Sequence, residues 1–236
     1  MEPTNRSEVW KDIWTKKGQD KNAPLFVVDG YGGLISSIEL DNMIFQVTKP
    51  IGLMGTENIF ECGCGAGAFL EVLIKIHPEL NVSGLDYSPT LLDIARSHFK
   101  GDFYVADMTN LGFIPDAKYD LTLCFGAIQY LSSEKSAQNA AEEMLRITKP
   151  NGKVYIGEIP DASKKELAES IRRVSHKSLQ KVSTANPDHL YLSKDFFREL
   201  AKENNLNINI IDHTEFNLGN YQAANYRYSV YLFKKG

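Results

Sequence analysis

The stretch from Asn58 to Leu73, NIFECGCGAGAFLEVL, constrains the fold more than any other part of the chain. Ile59 and Phe60 begin a short apolar run. Glu61 follows, and then glycines at alternate positions, Gly63, Gly65 and Gly67. Beyond them Phe69, Leu70, Leu73 and Ile74 recur at helical spacing. The pattern reads as strand, tight glycine turn and helix, the opening unit of a nucleotide-binding α/β sheet. Glycines there permit a positive φ and let the backbone approach a ligand with no Cβ between them.

Two ligand classes use such a loop. A dinucleotide rests its pyrophosphate on the helix N-terminus, where free N–H groups and the dipole favour an anion. Gly63-x-Gly65-x-x-Ala68 fits the permissive form of that fingerprint. Glu61, two residues before the first glycine, opposes it. A carboxylate is a poor neighbour for a pyrophosphate and a good one for a cation, such as the ammonium and sulfonium of S-adenosylmethionine. A purely structural turn would need glycine at only one or two of these positions.

The chain has 236 residues, enough for one domain with insertions. The expected division is an N-terminal helical cap over 1–54, a cofactor-binding core over 55–160, an acceptor-side insertion over 161–198 and C-terminal strands over 199–236. A net charge of −4 argues against a nucleic-acid partner held by a basic surface. The first ten residues, MEPTNRSEVW, carry no apolar signal core, and no apolar run approaches the length of a membrane span. Cys62, Cys64 and Cys124 make no disulfide framework and suit a reducing, cytoplasmic setting. Cys62 and Cys64 lack the further ligands a metal site needs, so no metal is expected.

Taken in order, Trp10, Ile13 and Trp14 predict an amphipathic helix over 8–16, either packed on the surface or closing over the ligand. Gly30, Gly32 and Gly33 around Tyr31 mark an irregular loop over 27–34. A helix over 35–49 follows. The second strand, 81–86, ends in Asp86, 19 residues past Gly67. That spacing puts a carboxylate at the neighbouring strand tip, where it can take both ribose hydroxyls. Tyr87 can lie against the adenine. Ser88 and Pro89 suit the N-cap and first position of the next helix. Strand three, 102–107, brings Asp107 to the adenine amine and Met108 to cover the ring. Strand four, 119–125, is almost continuously apolar, as for a strand buried on both faces. Helix 134–147 and a turn at Lys149-Pro150-Asn151-Gly152 lead to strand five, 154–159. The charged helical stretch 162–186, with Leu167, Ile171, Val174 and Leu179 as a thin stripe, is either a solvated face or a lid or site for an anionic acceptor. Ser193 caps a helix, and 206–213 and 226–234 suit the last strands, the second of them antiparallel.

Glu61 with its glycines, Asp86, Asp107 and the Lys149–Gly152 turn occur in the order and spacing of the motifs of class I S-adenosylmethionine-dependent methyltransferases, which this chain resembles over about residues 55–160. One departure is Asn151, where the family commonly has glycine; asparagine tolerates the left-handed region. The flanking segments, WKDIWTKKG at 10–18, DGYGG at 29–33, GEIPD at 157–161 and HLYLSKDFF at 189–197, resemble bacterial members associated with cell-surface polysaccharide biosynthesis. The resemblance implies a seven-stranded, mostly parallel, doubly wound α/β sheet with N-terminal helices and an insertion after strand five. It implies S-adenosylmethionine as cofactor, held by Glu61, Gly63, Gly65, Gly67, Asp86, Tyr87, Asp107, Met108 and Phe125. A small-molecule acceptor, such as a sugar or sugar-derived hydroxyl, would receive the methyl group.

Displacement at a sulfonium methyl gains from alignment and, for an oxygen nucleophile, from a base in reach. Tyr130, Glu158, Asp161 and His189 lie where such a base belongs. His189 is preferred because its ordinary pKa is near working pH, with Tyr130 beside it. A nicotinamide-dependent oxidoreductase on a related sheet is opposed by Glu61 and by the lack of a Tyr-x-x-x-Lys pair, and a non-catalytic binding protein is the third reading. Asp86→Ala is expected to weaken S-adenosylmethionine binding by about 1–3 kcal/mol, because ribose hydroxyls lose a charged acceptor in a dry site. Unchanged affinity by calorimetry would remove Asp86 from the site.

Overall fold

A computed structural model describes residues 6–179 and 188–235. Helices α1 (Arg6–Lys17), α2 (Leu25–Val28) and α3 (Ser37–Thr48) precede the sheet. α3 begins at a capping box: the Ser36 hydroxyl accepts from the Glu39 N–H, and the Glu39 carboxylate accepts from the Ser36 N–H. Strand and helix then alternate as β1 (Asn58–Cys62), α4 (Ala68–Ile76), β2 (Asn81–Asp86), α5 (Pro89–His98), β3 (Phe103–Val105), β4 (Tyr119–Phe125), α6 (Glu134–Ile147) and β5 (Thr148–Pro160). α7 (Lys165–Leu179), α8 (Lys194–Glu203), β6 (Asn207–Asp212) and β7 (Arg227–Phe233) complete the chain.

The seven strands are ordered β3-β2-β1-β4-β5-β7-β6. β1 pairs in parallel with β2 and β4, as do β2 with β3 and β4 with β5. β7 runs antiparallel to both β5 and β6. The sheet is therefore mixed, which corrects the expectation of a mostly parallel one. A parallel return needs a crossover of a dozen or more residues, usually a helix. Between β6 and β7 there are only single 3₁₀ turns, so β7 folds straight back and inserts beside β5.

Helices cover both faces. On one, Leu70 and Leu73 of α4, Leu92 of α5 and Ile44 of α3 pack with Leu121, Leu123 and Tyr155. On the other, Ala140 and Met144 of α6 and Phe197 of α8 pack with Phe60, Val154 and Tyr228. β4 is buried from Leu121 to Phe125, which is why it reads as an unbroken apolar run. β3 stops at Val105, short of the expected 107, because Asp107 folds its carboxylate back onto the Thr109 N–H at 2.8 Å and turns the chain. Asn151 takes φ 61, the left-handed conformation its turn requires. Within the charged insertion, Leu167 is exposed and Ile171 half-buried; the side chains of Val174 and Leu179, and residues 180–186, lie outside those described. Among the described residues no helix is long and apolar enough to cross a membrane.

The irregular segment between β3 and β4, which carries Asp107 and Met108, is tied to α6 by Arg146 and Glu143. Arg146 of α6 donates to the carbonyls of Leu111 (2.7 Å) and Ile114 (2.9 Å) and pairs with Asp116 and Glu143. Glu143 in turn accepts from the Leu111 N–H at 2.6 Å. Arg146→Ala is expected to destabilise the protein by about 1–3 kcal/mol, the usual loss for charge-assisted bonds to partly buried carbonyls. A urea midpoint unchanged from that of the parent protein would show that the segment is held by its apolar contacts alone.

Candidate active site

A cavity of about 470 Å³ opens at the carboxyl ends of β1, β2 and β4. That size is ordinary for a small-molecule site. Its floor is the glycine loop. Gly65 has φ 55, and a Cβ there would lie 2.4 Å from Oδ1 of Asp29. On Gly63, at φ 75, a Cβ would lie 2.4 Å from that of Ala127. Neither position admits a side chain.

Two carboxylates fix this loop. Asp86, at the tip of β2, accepts from the Gly65 N–H at 3.0 Å and from the Ser88 N–H at 2.8 Å. Asp29 reaches in from the loop after α2 and accepts from the Ala66 N–H at 2.7 Å and the Ala68 N–H at 2.8 Å. It occupies the amino end of α4, where unpaired amides and the dipole favour an anion. Glu61, at the end of β1, is 1% exposed, and its Oε2 accepts from no described residue. None of the three belongs to an ion pair among the described residues. Burial, with Asp29 and Asp86 nearby, pushes the Glu61 carboxyl well above its usual range. Burial lifts Asp29 to about 7 against the pull of the Ala66 and Ala68 amides, and lifts Asp86 to about 6 against those of Ser88 and Gly65. Such a cluster is complementary to a cation, which would favour its ionised form.

Tyr87, Asp107 and the buried Met108 line the flank beside β2 and β3. Asp107 is exposed, and its Oδ1 already accepts from the N–H and hydroxyl of Thr109. One side of the cavity is aromatic. Phe125 packs 4.6 Å from the ring of Phe69 and stacks on Tyr31 at 6.4 Å. Tyr130 lies 4.5 Å from Trp10 and 5.5 Å from Trp14, ring to ring. The roof comes from the N-terminal segment: Glu8, Lys11 and Trp14 of α1, then Tyr31 and Leu34. No described residue of 162–198 lines the cavity.

Of the residues singled out from sequence, Glu61, Gly63, Gly65, Asp86, Tyr87, Asp107, Met108, Phe125 and Tyr130 all meet on this wall. Gly67 does not; it turns at φ 97 beneath the ring of Phe99. His189 does not either. It is buried behind the wall, 5.2 Å from the ring of Trp10 and 5.5 Å from that of Tyr130. The Leu190 N–H donates to the Gln129 carbonyl at 2.8 Å, so the returning segment packs under the 3₁₀ turn after β4 rather than over the cavity.

Sequence reasoning missed Asp29, Tyr221 and Arg227 on the wall. Asp29 had a signal, a carboxylate opening a glycine cluster. Tyr221 and Arg227 had none, since one precedes and the other opens a strand recognisable only by its apolar residues.

A family described as a methyltransferase domain matches residues 59–152. The probable tRNA methyltransferase 9B of Bos taurus is 34% identical over 112 residues, 47% of this chain and 22% of that protein. The malonyl-[acyl-carrier protein] O-methyltransferase 1 of Ilyobacter polytropus is 28% identical over 62% of this chain and 52% of its own length. The chain thus spans about half or less of these curated relatives. Among solved structures, the N-methyltransferase NodS of Bradyrhizobium japonicum with S-adenosyl-L-homocysteine aligns at a TM-score of 0.62 and 14% identity, over 95% of this chain and 99% of that one. The magnesium protoporphyrin IX methyltransferase of Synechocystis with S-adenosylmethionine aligns at 0.62 and 12%, over the whole of both chains. At these identities the likeness is one of fold.

The raised carboxyls have a pH consequence. Between about pH 4 and pH 7 the folded chain holds protons at Asp29 and Asp86 that the unfolded chain has released. Their share of stability is therefore full below about pH 4 and lost as pH rises towards 7. A cation bound beside them releases those protons. S-adenosylmethionine affinity is expected to rise between about pH 5.5 and 7.5, and Asp29→Asn to flatten the upper part of the rise. Calorimetry in two buffers of different ionisation heat measures the proton release; affinity independent of pH would contradict it.

Proposed function

We infer that this chain, whose residues 59–152 match the methyltransferase-domain family, is an S-adenosylmethionine-dependent methyltransferase acting on a small-molecule acceptor. The observation that carries the reading is the carboxylate cluster around the glycine loop, with Glu61 buried and Oε2 unpartnered among the described residues. A pyrophosphate would be repelled there; an ammonium or sulfonium is matched. Gly65, at φ 55, leaves room for the Asp29 carboxylate that completes the cluster.

The residues suit the cofactor in a definite order. Glu61 would receive the amino group, Asp86 the ribose hydroxyls, and Asp107 and Met108 the adenine, with Tyr87 and Phe125 alongside. When bound, S-adenosylmethionine supplies an electrophilic methyl group on sulfur. The chain's own residues then have two tasks, to hold the acceptor in line and to exclude water. Trp14, Tyr31 and Tyr130 form the dry wall. Tyr130 touches the cavity, and burial raises its phenol, so it acts as a neutral hydroxyl that orients the acceptor. His189 stands behind it as a positioning residue rather than as the base expected from sequence.

The net charge of −4 and the covered cavity favour a small acceptor over a nucleic acid. A sugar or sugar-derived hydroxyl is the finer reading, supported by the likeness of the flanking segments to methyltransferases of polysaccharide biosynthesis. S-adenosyl-L-homocysteine is expected to raise the melting temperature and NAD(H) to leave it unchanged. Labelled methyl from S-adenosylmethionine should pass to a member of a panel of sugars, nucleotide sugars and small hydroxy acids. Stabilisation by NAD(H) instead would make the protein an oxidoreductase; cofactor binding with no transfer to any acceptor would favour a binding protein.

A further inference from the structure

We propose that the acceptor carries an acidic oxygen group, a carboxylate or a phosphate, and that Arg227 receives it at the aromatic side of the cavity. The inference rests on the methyl-transfer reading of the same cavity.

The argument starts behind the wall. Glu158 is 0% exposed, near the end of β5, where the register with β7 shifts between Ile156 and Ile159. Its φ is 62, an unfavourable backbone for a residue with a Cβ, which persists only where the surroundings over-determine it. Register shifts of this kind re-aim a side chain. Here the carboxylate is turned onto Arg227 Nη1 and the Tyr221 hydroxyl, which both donate to it. His213 Nδ1 lies 2.9 Å from its other oxygen, and His213 Nε2 lies 2.8 Å from the Ser229 hydroxyl. Burial alone would raise Glu158; Arg227 and His213 outweigh it and hold the carboxyl at about 2. The group is a fixed anion with no face on the cavity, and what it presents there is Arg227.

Arg227 lines the cavity beside Tyr221 and is 12% exposed. Glu158 takes only Nη1. Nε is buried and has no acceptor among the described residues. A guanidinium held in place by one carboxylate, with a donor unmatched beside the wall of a site, is suited to a second oxyanion. The neighbouring phenols of Tyr31 and Tyr130 are raised by burial and stay neutral donors. The cavity thus carries Asp29, Glu61 and Asp86 around the glycine loop for a cation, and Arg227 on the wall beside Tyr31 and Tyr130 for an anion. An acceptor lying between them would be aligned by its charge.

The test uses the full chain loaded with S-adenosyl-L-homocysteine and three probes of like shape: benzoate, phenyl phosphate and benzamide. Benzoate or phenyl phosphate at millimolar concentration is expected to raise the melting temperature of the complex by about 2 °C or more, and benzamide by less than half as much. A preference between the two acids assigns the oxyanion. Arg227→Lys should keep part of the difference. Arg227→Leu with Glu158→Gln, which removes both buried charges together, should abolish it while S-adenosyl-L-homocysteine affinity stays within about twofold. Equal shifts from acid and amide with the parent protein overturn the proposal, whatever the variants do. A tenfold loss of S-adenosyl-L-homocysteine affinity in the double variant also overturns it, because Arg227 would then hold the cofactor's own carboxylate. No binding of S-adenosyl-L-homocysteine by the parent protein removes the methyl-transfer reading itself.

Discussion

The glycine loop between β1 and α4 presents backbone N–H groups that its own helix cannot satisfy, and two carboxylates from different parts of the chain satisfy them. Asp86 takes the Gly65 amide; Asp29 takes those of Ala66 and Ala68. Unpaired amides at a helix N-terminus are costly when buried and attract anions. The loop therefore acts as a clasp. It joins β2 to β1 at the strand tips and pulls the N-terminal segment over the cavity. The position of α1 is set from the other side by Trp10, whose indole N–H donates to the Asp188 carbonyl at 3.3 Å, and by the Thr90 hydroxyl, which donates to the Thr15 carbonyl at 2.8 Å.

Gathering carboxylates in this way leaves a site that is short of positive charge. Asp29, Asp86 and Glu61 all have raised carboxyls, and burial is the largest cause for each. Raised carboxyls lower the stability of the folded chain as pH rises, and a cation bound beside them would offset that. Elsewhere on the wall the balance is reversed: Glu158 is buried, ionised and matched by Arg227. A buried pair is weak evidence for stability, since desolvation offsets most of the attraction. Its value here is geometric. It fixes a guanidinium at the cavity wall, where a free side chain would bend away into solvent.

The elements that built the sheet were legible because their signals are local. Strand, glycine turn and helix at 58–76, the Ser88-Pro89 helix start and the apolar run at 119–125 follow from φ preferences, capping and burial on both faces. The same holds for Glu61 and Asp86, whose distance in sequence from the glycines puts them at adjacent strand tips. His189 shows where such reasoning stops. A histidine in a loop after an insertion has the right chemistry for a base, but the direction in which that loop returns depends on the Leu190–Gln129 backbone bond and on packing against Trp10. Neither leaves a local trace.

The sequence alone determined the α/β alternation, the ligand-bearing loop and the acidic character of the cofactor end, because each is written in residues a few positions apart. Only the tertiary structure decided that β7 turns back between β5 and β6, that the roof is α1 with the Asp29–Leu34 loop, and that Arg227 and Tyr221 meet Glu158 at the cavity wall. These depend on contacts between residues separated by tens to hundreds of positions, where the sequence pattern carries only apolar periodicity. Long-range packing chooses among the arrangements that periodicity allows, and here that choice set which side chains line the cavity.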